Sequence, residues 1–144
     1  MKTTIFGSLI AALISIGCGI ATAQTEIKVG IAGPLSGSNL QMGEPQEVGA
    51  QKAFDHLNDK GGLLGKKIVV TSVDDACEPQ QAKAVARQMV SEGVVFVVGH
   101  VCSAASLAAS KIYEKAGVIM ISPASTNTKV TDKGGPNVFR VIGR

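Results

Sequence analysis

Apolar and polar residues along the chain follow two alternating patterns. Short, nearly continuous apolar runs predict five strands, at 27–32, 67–73, 94–98, 118–122 and 138–142. Segments with an apolar residue every three to four positions predict three helices between them, at about 45–59, 79–93 and 103–117. The segment that joins the last two strands is predicted to be a polar loop.

Each predicted helix carries one apolar face, as a helix packed on a sheet does. These faces comprise Ala50, Ala53, Phe54 and Leu57; Ala82, Val85, Ala86, Met89 and Val90; and Ala105, Ala108, Ala109, Ile112 and Ala116. The continuous apolar run 94–98 indicates a strand buried on both faces, which is typical of a parallel sheet covered by helices. We therefore predict an α/β fold with a doubly wound parallel sheet, whose loops at the carboxyl ends of the strands are available for a ligand.

Residues 1–23 have the three parts of a secretory signal peptide: a positive Lys2, an apolar run at 5–20, and small residues at 21–23. We expect cleavage between Ala23 and Gln24, and export of residues 24–144 as one domain. A membrane-spanning helix is the less favoured alternative, since the apolar run falls short of the roughly 20 residues a span needs. Lipidation at Cys18 is another, because residues 15–18 loosely resemble a lipoprotein cleavage box.

Composition limits the classes of partner. Without the signal segment the chain keeps 13 basic and 11 acidic residues, a net charge of +2 that is too weak and scattered for a polyanion. Aromatic residues make up 3% of the chain and Trp is absent, so platforms for stacking nucleic-acid bases are missing. We expect no nucleic-acid partner.

Two cysteines remain after the signal segment, Cys77 and Cys102. In an exported chain the simplest assignment is one disulfide, which would close a loop of roughly 26 residues and contribute ~3.5 kcal/mol. The alternative is a metal site that adds His100 and Asp74 or Asp75. That alternative lacks the paired C-x-x-C spacing of a zinc site, so no metal is predicted.

Candidate binding residues follow the third and fourth strands. Ser103 comes directly after Cys102 at the start of a helix, where a hydroxyl and free backbone N–H groups suit a carboxylate. A plain helix N-cap is the equally open alternative for Ser103. The segment Pro123-Ala124-Ser125-Thr126 brings carbonyls and hydroxyls to the same sheet edge. Donors on one loop facing carbonyls on another would suit a zwitterion such as an amino acid.

Catalytic and nucleotide-binding interpretations are less well supported. Ser103, His100 and Asp75 contain the residue types of a hydrolytic triad, but the chain has no G-x-S-x-G motif and His100 lies too close to Ser103 in sequence. Asp74 ends the second strand where a ribose-binding acid would stand, yet residues 33–37 lack the G-x-G-x-x-G pattern. His56 is expected to be solvated. We predict neither catalysis nor a cofactor.

Six motifs together resemble the periplasmic leucine/isoleucine/valine-binding proteins of ABC importers, and the likeness runs over 27–144. The motifs are Ile27-Lys28-Val29-Gly30, Gly33-Pro34-Leu35-Ser36-Gly37, Asn58-Asp59-Lys60-Gly61-Gly62, Asp74-Asp75-Ala76-Cys77-Glu78-Pro79, Gly99-His100-Val101-Cys102-Ser103 and Ser122-Pro123-Ala124-Ser125-Thr126. The resemblance implies a monomeric type I periplasmic binding protein. Its two hinged lobes close on a branched-chain amino acid and deliver it to an inner-membrane permease.

The same resemblance implies a Cys77–Cys102 disulfide and roles for individual residues. Ser103 and Thr126 would hold the carboxylate and ammonium region, and the Ala124 carbonyl would help the ammonium. The predicted binding residues are Met42, Cys102, Ser103, Ala124, Ser125 and Thr126.

Two departures from the family pattern affect these expectations. Many relatives have Tyr where this chain has Met42, so the wall meeting the ligand side chain differs. The family is also about three times longer, so residues 24–144 correspond to most of an N-terminal lobe, and the opposing lobe is expected to be absent. Two alternatives stay open: a sensory module of the same fold for an amide, urea or aromatic acid, and a truncated fragment without function.

Overall fold

The computed structural model describes residues 26–144. The predicted signal segment, the Ala23–Gln24 cleavage site and Cys18 lie outside the described residues. Strands and helices alternate in the order β1 Glu26–Gly33, α1 Leu40–Asp59, β2 Lys67–Asp74, α2 Pro79–Ser91, β3 Phe96–Gly99, α3 Ser103–Ala116, β4 Ile119–Ser122, α4 Lys129–Gly134 and β5 Val138–Arg140. A 3-10 turn, Gly37–Asn39, leads into α1. Within the described residues no helix is long and apolar enough to cross a membrane.

The five strands form one sheet in the order β2-β1-β3-β4-β5, and every neighbouring pair is parallel. The predicted α/β fold with a doubly wound parallel sheet is therefore confirmed. Helix α1 packs on one face with Val29, Ile31 and Ile68. The larger core lies on the other face, where α2, α3 and α4 cover the sheet.

The predicted face of α2 is confirmed, since Ala82, Val85, Ala86 and Met89 are all buried. Its close approach depends on Gly30 in β1, because a Cβ at Gly30 would lie 2.6 Å from Met89 Sδ. The inward face of α3 combines Ala105 and Ala109 with residues that apolar periodicity did not identify; these are Ser106, Ser110 and Tyr113. Polar groups thus lie inside the larger core.

Helix α1 begins earlier than predicted, at Leu40 rather than near Pro45. Gly43 explains how this first turn fits, because a Cβ there would lie 2.0 Å from the Pro34 carbonyl oxygen. The predicted apolar face of α1 is only partly right. Phe54 is buried, whereas Ala53 and Leu57 are exposed.

Three predictions about the strands and loops need correction. Strand β3 begins at Phe96, and Val95, which was expected to be buried, is 52% exposed because it lines an open groove. Strand β5 ends at Arg140, after which the chain is exposed. The predicted polar loop contains the short helix α4. Its only buried residues are Val130 and Gly134, so the sequence shows no helical repeat of apolar residues there.

A groove of about 540 Å³ opens on the α1 face near the amino ends of the strands. Its walls are almost entirely apolar and include Ile27, Phe54, Val95 and Ile119. The groove lies at the opposite end of the strands from the predicted binding residues.

Candidate functional site

The carboxyl ends of β1 and β3 lie side by side at the centre of the sheet. From β1 the chain passes to α1 on one face, and from β3 it passes to α3 on the other. In doubly wound sheets a ligand crevice forms at such a switch point. Gln46 of α1 bridges the two strands here, because its Nε2 donates to Ala32 O at 3.1 Å and Val98 O at 2.9 Å.

The structure brings the predicted residues to this edge on three elements. Met42 lies in the first turn of α1 and is 47% exposed. Cys102 and Ser103 follow β3, while Ala124 and Thr126 follow β4. The predicted residues thus follow the carboxyl ends of three neighbouring strands, β1, β3 and β4.

Ser103 is the first residue of α3, and Cys102 occupies the N-cap position. The interpretation of Ser103 as a plain N-cap is therefore wrong. Its Oγ instead accepts a hydrogen bond from the Asn127 N–H at 3.2 Å. This contact joins the loop after β3 to the loop after β4.

The backbone at Ser125, Thr126 and Asn127 is turned toward Arg140 of β5. Nη1 of Arg140, which carries two protons, lies within hydrogen-bond distance of these three carbonyls, at 3.3, 3.1 and 3.0 Å. The Ala124 carbonyl and the Thr126 hydroxyl have no hydrogen-bond partner among residues 26–144.

A buried group of serine hydroxyls lies beneath the two loops. The His100 carbonyl accepts hydrogen bonds from Ser106 Oγ at 3.0 Å, Ser122 Oγ at 2.6 Å and Ser125 Oγ at 3.2 Å. Ser125 Oγ also lies 3.0 Å from Val101 O, so its one proton is shared between the His100 and Val101 carbonyls. Ser125, which was predicted to bind the ligand, is 0% exposed, so the structure places its side chain beneath the two loops as a support.

Asp75 and His100 form a buried pair below the same loops, and each is 0% exposed. His100 Nδ1 lies 2.5 Å from Asp75 Oδ2, and its Nε2 lies 3.3 Å from the Tyr113 hydroxyl. Burial first, and then the charge of Asp75, raise the pKa of Tyr113 well above its usual value. Both ring nitrogens of His100 face these partners rather than Ser103, so the structure does not assemble the hydrolytic triad.

Cys77 and Cys102 are joined in a disulfide, as predicted, with their Cα atoms 5.4 Å apart. The bond links the end of β2 to the end of β3 and fixes the residue that precedes Ser103. The alternative metal site is excluded for these residues because both sulfurs are used. No group of metal-binding side chains is found within 26–144.

Asp74 braces the loop after β1. Its carboxylate accepts hydrogen bonds from Leu35 N and Ala76 N, each at 2.8 Å, and from Ser36 Oγ at 2.5 Å. Burial acts to raise the pKa of Asp74, but the bonds from Ser36, Ala76 and Leu35 outweigh it and hold the pKa below 3.8. The carboxylate is occupied by its own protein, which argues against a ribose-binding role.

Sequence reasoning missed the residues that support the site. Ser106 and Ser122 were not identified, and neither was the role of Arg140, because serine and arginine at such positions are also common on solvated surfaces. His100 and Asp75 were considered only as possible catalysts or ligands of a metal. A signal was available in α3, where serines recur at 106 and 110 on a face otherwise lined by alanine.

The chain is similar to known proteins over most of its length. A family profile described as periplasmic binding protein matches residues 26–143. A leucine-specific-binding protein of Salmonella typhimurium is 40% identical over 136 residues, which cover 94% of this chain and 37% of that protein. The chain thus spans about a third of the length of this relative.

Solved structures give the same result. One is the branched-chain amino acid transporter substrate binding protein of Streptococcus pneumoniae in complex with isoleucine. It matches with a TM-score of 0.78 and 37% identity over 83% of this chain and 34% of that one. A solute binding protein of Rhodopseudomonas palustris in complex with 3,4-dihydroxybenzoic acid matches with a TM-score of 0.71 and 29% identity. That match covers 81% of this chain and 31% of the other.

Proposed function

The chain belongs to the periplasmic binding protein family, and from this premise we propose that it captures a branched-chain or related aliphatic amino acid for an ABC importer. The protein binds reversibly and catalyses nothing. Residues 1–23 direct export to the periplasm, and residues 24–144 supply the N-terminal lobe of a monomeric two-lobed receptor. An inner-membrane permease is the partner, and neither a cofactor nor nucleic acid is involved.

The observation that carries this proposal is the pairing of donors on one loop with unpaired oxygens on the other. The Ser103 hydroxyl and the N–H groups that open α3 suit a carboxylate, since the first backbone N–H groups of a helix lack partners within it. Cys102 belongs to the same corner through its backbone.

The opposite side of the crevice suits an ammonium group. The Ala124 carbonyl and the Thr126 hydroxyl are acceptors without partners among residues 26–144. Ser125 supports them through its buried side chain. An α-amino acid carries both charged groups on one carbon atom, so it can meet two neighbouring loops of opposite character.

The aliphatic preference rests on the rest of the crevice and on the relatives. Met42 offers a flexible apolar surface beside the switch point, which suits a branched aliphatic side chain. The Salmonella relative is named for leucine, and the Streptococcus structure contains isoleucine. A second lobe would supply the counter-charge for the ammonium and exclude water on closure.

Thermal unfolding of the complete gene product that contains this chain tests the proposal against a panel of ligands. We expect leucine, isoleucine and valine to raise the melting temperature, since a ligand at 100 times its Kd stabilises the folded state by ~2.7 kcal/mol. Aspartate and lysine serve as matched amino acids with charged side chains and are expected to have little effect. No shift with any aliphatic amino acid would refute the proposal.

A second candidate is an aromatic-acid receptor or sensor, which the Rhodopseudomonas structure favours. An aromatic carboxylate would use the Ser103 corner and leave the Ala124 carbonyl unused. Stabilisation by 3,4-dihydroxybenzoate but not by leucine would decide for this candidate.

A further inference from the structure

Arg140 holds the loop that faces Ser103, although it lies on a different element from every predicted binding residue. Its Nη1 reaches three consecutive carbonyls at 125–127, and its Nη2 donates to Thr131 Oγ1 at 3.0 Å. Within the described residues no carboxylate lies within ion-pairing distance of this guanidinium. Its positive charge is therefore directed at backbone oxygens.

One peptide group connects Arg140 to Ser103. The oxygen of the Thr126–Asn127 peptide accepts from Arg140 Nη1 at 3.1 Å, and the N–H of the same peptide donates to Ser103 Oγ at 3.2 Å. Because the two ends of a trans peptide point in opposite directions, fixing the oxygen also fixes where the N–H points. Arg140 thus sets the direction of the bond that Ser103 receives.

The bond from Asn127 determines which part of the Ser103 hydroxyl remains available to a ligand. A hydroxyl has one proton to donate and two lone pairs that accept. Since Asn127 N–H occupies a lone pair, the proton of Ser103 remains available for donation to another acceptor. Chains of hydrogen bonds also polarise one another, so a cation at the far end makes this hydroxyl a better donor.

We propose that Arg140 is a positioning residue for Ser103, acting through the Thr126–Asn127 peptide to present the serine proton to a ligand carboxylate. The proposal rests on the proposed function for its ligand and extends it to a residue that does not touch the ligand. A lysine at this position would keep the positive charge. It would lack the planar guanidinium, whose Nη1 contacts the carbonyls while Nη2 contacts Thr131.

Leucine titrations of the complete gene product test this relay in a double-mutant cycle. We expect Arg140→Lys and Ser103→Ala each to weaken leucine binding, on the order of tenfold, as for a lost hydrogen bond to a charged group. The losses should be less than additive in the combined variant, because the relay acts through the serine hydroxyl that Ser103→Ala removes. Additive losses, or unchanged affinity in Arg140→Lys, would overturn the proposal.

Amide hydrogen exchange at Asn127 gives a readout that needs no ligand. We expect faster exchange in Arg140→Lys than in the wild type, and no change in Arg144→Lys, a matched variant whose side chain pairs with Asp132 instead. Unchanged exchange at Asn127 with leucine binding intact would refute the relay alone. A wild type that binds no aliphatic amino acid would refute the proposed function.

Thr131→Val provides a second variant if Arg140→Lys does not fold. It removes the acceptor that holds Nη2 and leaves the guanidinium in place. We expect Thr131→Val to weaken leucine binding and to speed amide exchange at Asn127, each by less than Arg140→Lys does. Wild-type values for both would contradict the relay.

Discussion

Replacing Asp75 with asparagine tests the buried pair that underlies the binding edge. The carboxylate makes two contacts, with Cys77 N at 2.8 Å and with His100 Nδ1 at 2.5 Å, and both side chains of the pair are 0% exposed. Asparagine has nearly the same shape, so the substitution changes chemistry more than packing. Its oxygen can keep the bond to Cys77 N, but its amide N–H₂ then faces His100 Nδ1.

The expected cost follows from these contacts. Removing one partner of a buried pair destabilises a protein by ~3–5 kcal/mol, and one retained hydrogen bond recovers ~1 kcal/mol of that. We therefore expect Asp75→Asn to lower the free energy of unfolding by ~2–4 kcal/mol. Urea unfolding followed by circular dichroism measures this as a lower midpoint with an unchanged slope.

Asp55→Asn is the matched control for this substitution. Asp55 is exposed and bonds to Gln51 Nε2 within the same helix at 2.8 Å, so its loss should change stability by less than ~0.5 kcal/mol. If Asp75→Asn were no more destabilising than Asp55→Asn, the buried pair would not be a main support of the binding edge.

Three further predictions concern the rest of the fold. Gly43→Ala should lower the free energy of unfolding by ~2 kcal/mol or more, because the added Cβ would lie 2.0 Å from the Pro34 carbonyl oxygen. Gly49→Ala, in the same helix, places its Cβ in open space and should raise the free energy of unfolding by ~0.5–1 kcal/mol. Equal effects of the two substitutions on the urea midpoint would be inconsistent with this packing. Cys77→Ser should lower stability by ~3 kcal/mol, and dithiothreitol should then have no added effect, as Cys102 has lost its partner. The pKa of Asp74 is lowered from 3.8, so the stability contributed by its charge is fully present above that pH and is lost as the pH falls through the folded-state pKa. Asp74→Asn should therefore flatten the pH dependence of the free energy of unfolding in acid. An unchanged acid profile would argue against the hydrogen bonds from Leu35, Ser36 and Ala76 to this carboxylate.

The fold could be predicted because its elements follow simple periods. The apolar run before Gly99 and the stripe Ala82, Val85, Ala86 and Met89 were sufficient to identify a parallel sheet with covering helices. Helix α4 escaped prediction because a six-residue helix with one buried apolar side chain has no detectable period. The exposure of Val95 could not be foreseen, since an apolar residue does not indicate whether a helix covers it.

The candidate site was predictable in outline and not in its contacts. Loops at the carboxyl edge identified Ser103 and Ala124, because strand ends and helix starts can be located along the chain. The bond from Asn127 N–H to Ser103 and the contacts of Arg140 depend on how loops turn in three dimensions. Sequence spacing carries no record of such turns, so these supporting residues required coordinates.

The central claim is that this edge of the sheet holds an α-carboxylate and an α-ammonium together. Calorimetric titration of the complete gene product with L-leucine tests it most directly. We predict binding at micromolar concentrations, with losses on the order of tenfold or more for 4-methylpentanoate, which lacks the ammonium, and for leucinamide, which lacks the carboxylate. Ser103→Ala should weaken leucine by ~1–3 kcal/mol and leave leucinamide nearly unaffected. Equal affinity for all three compounds, or no heat with leucine, would contradict the account.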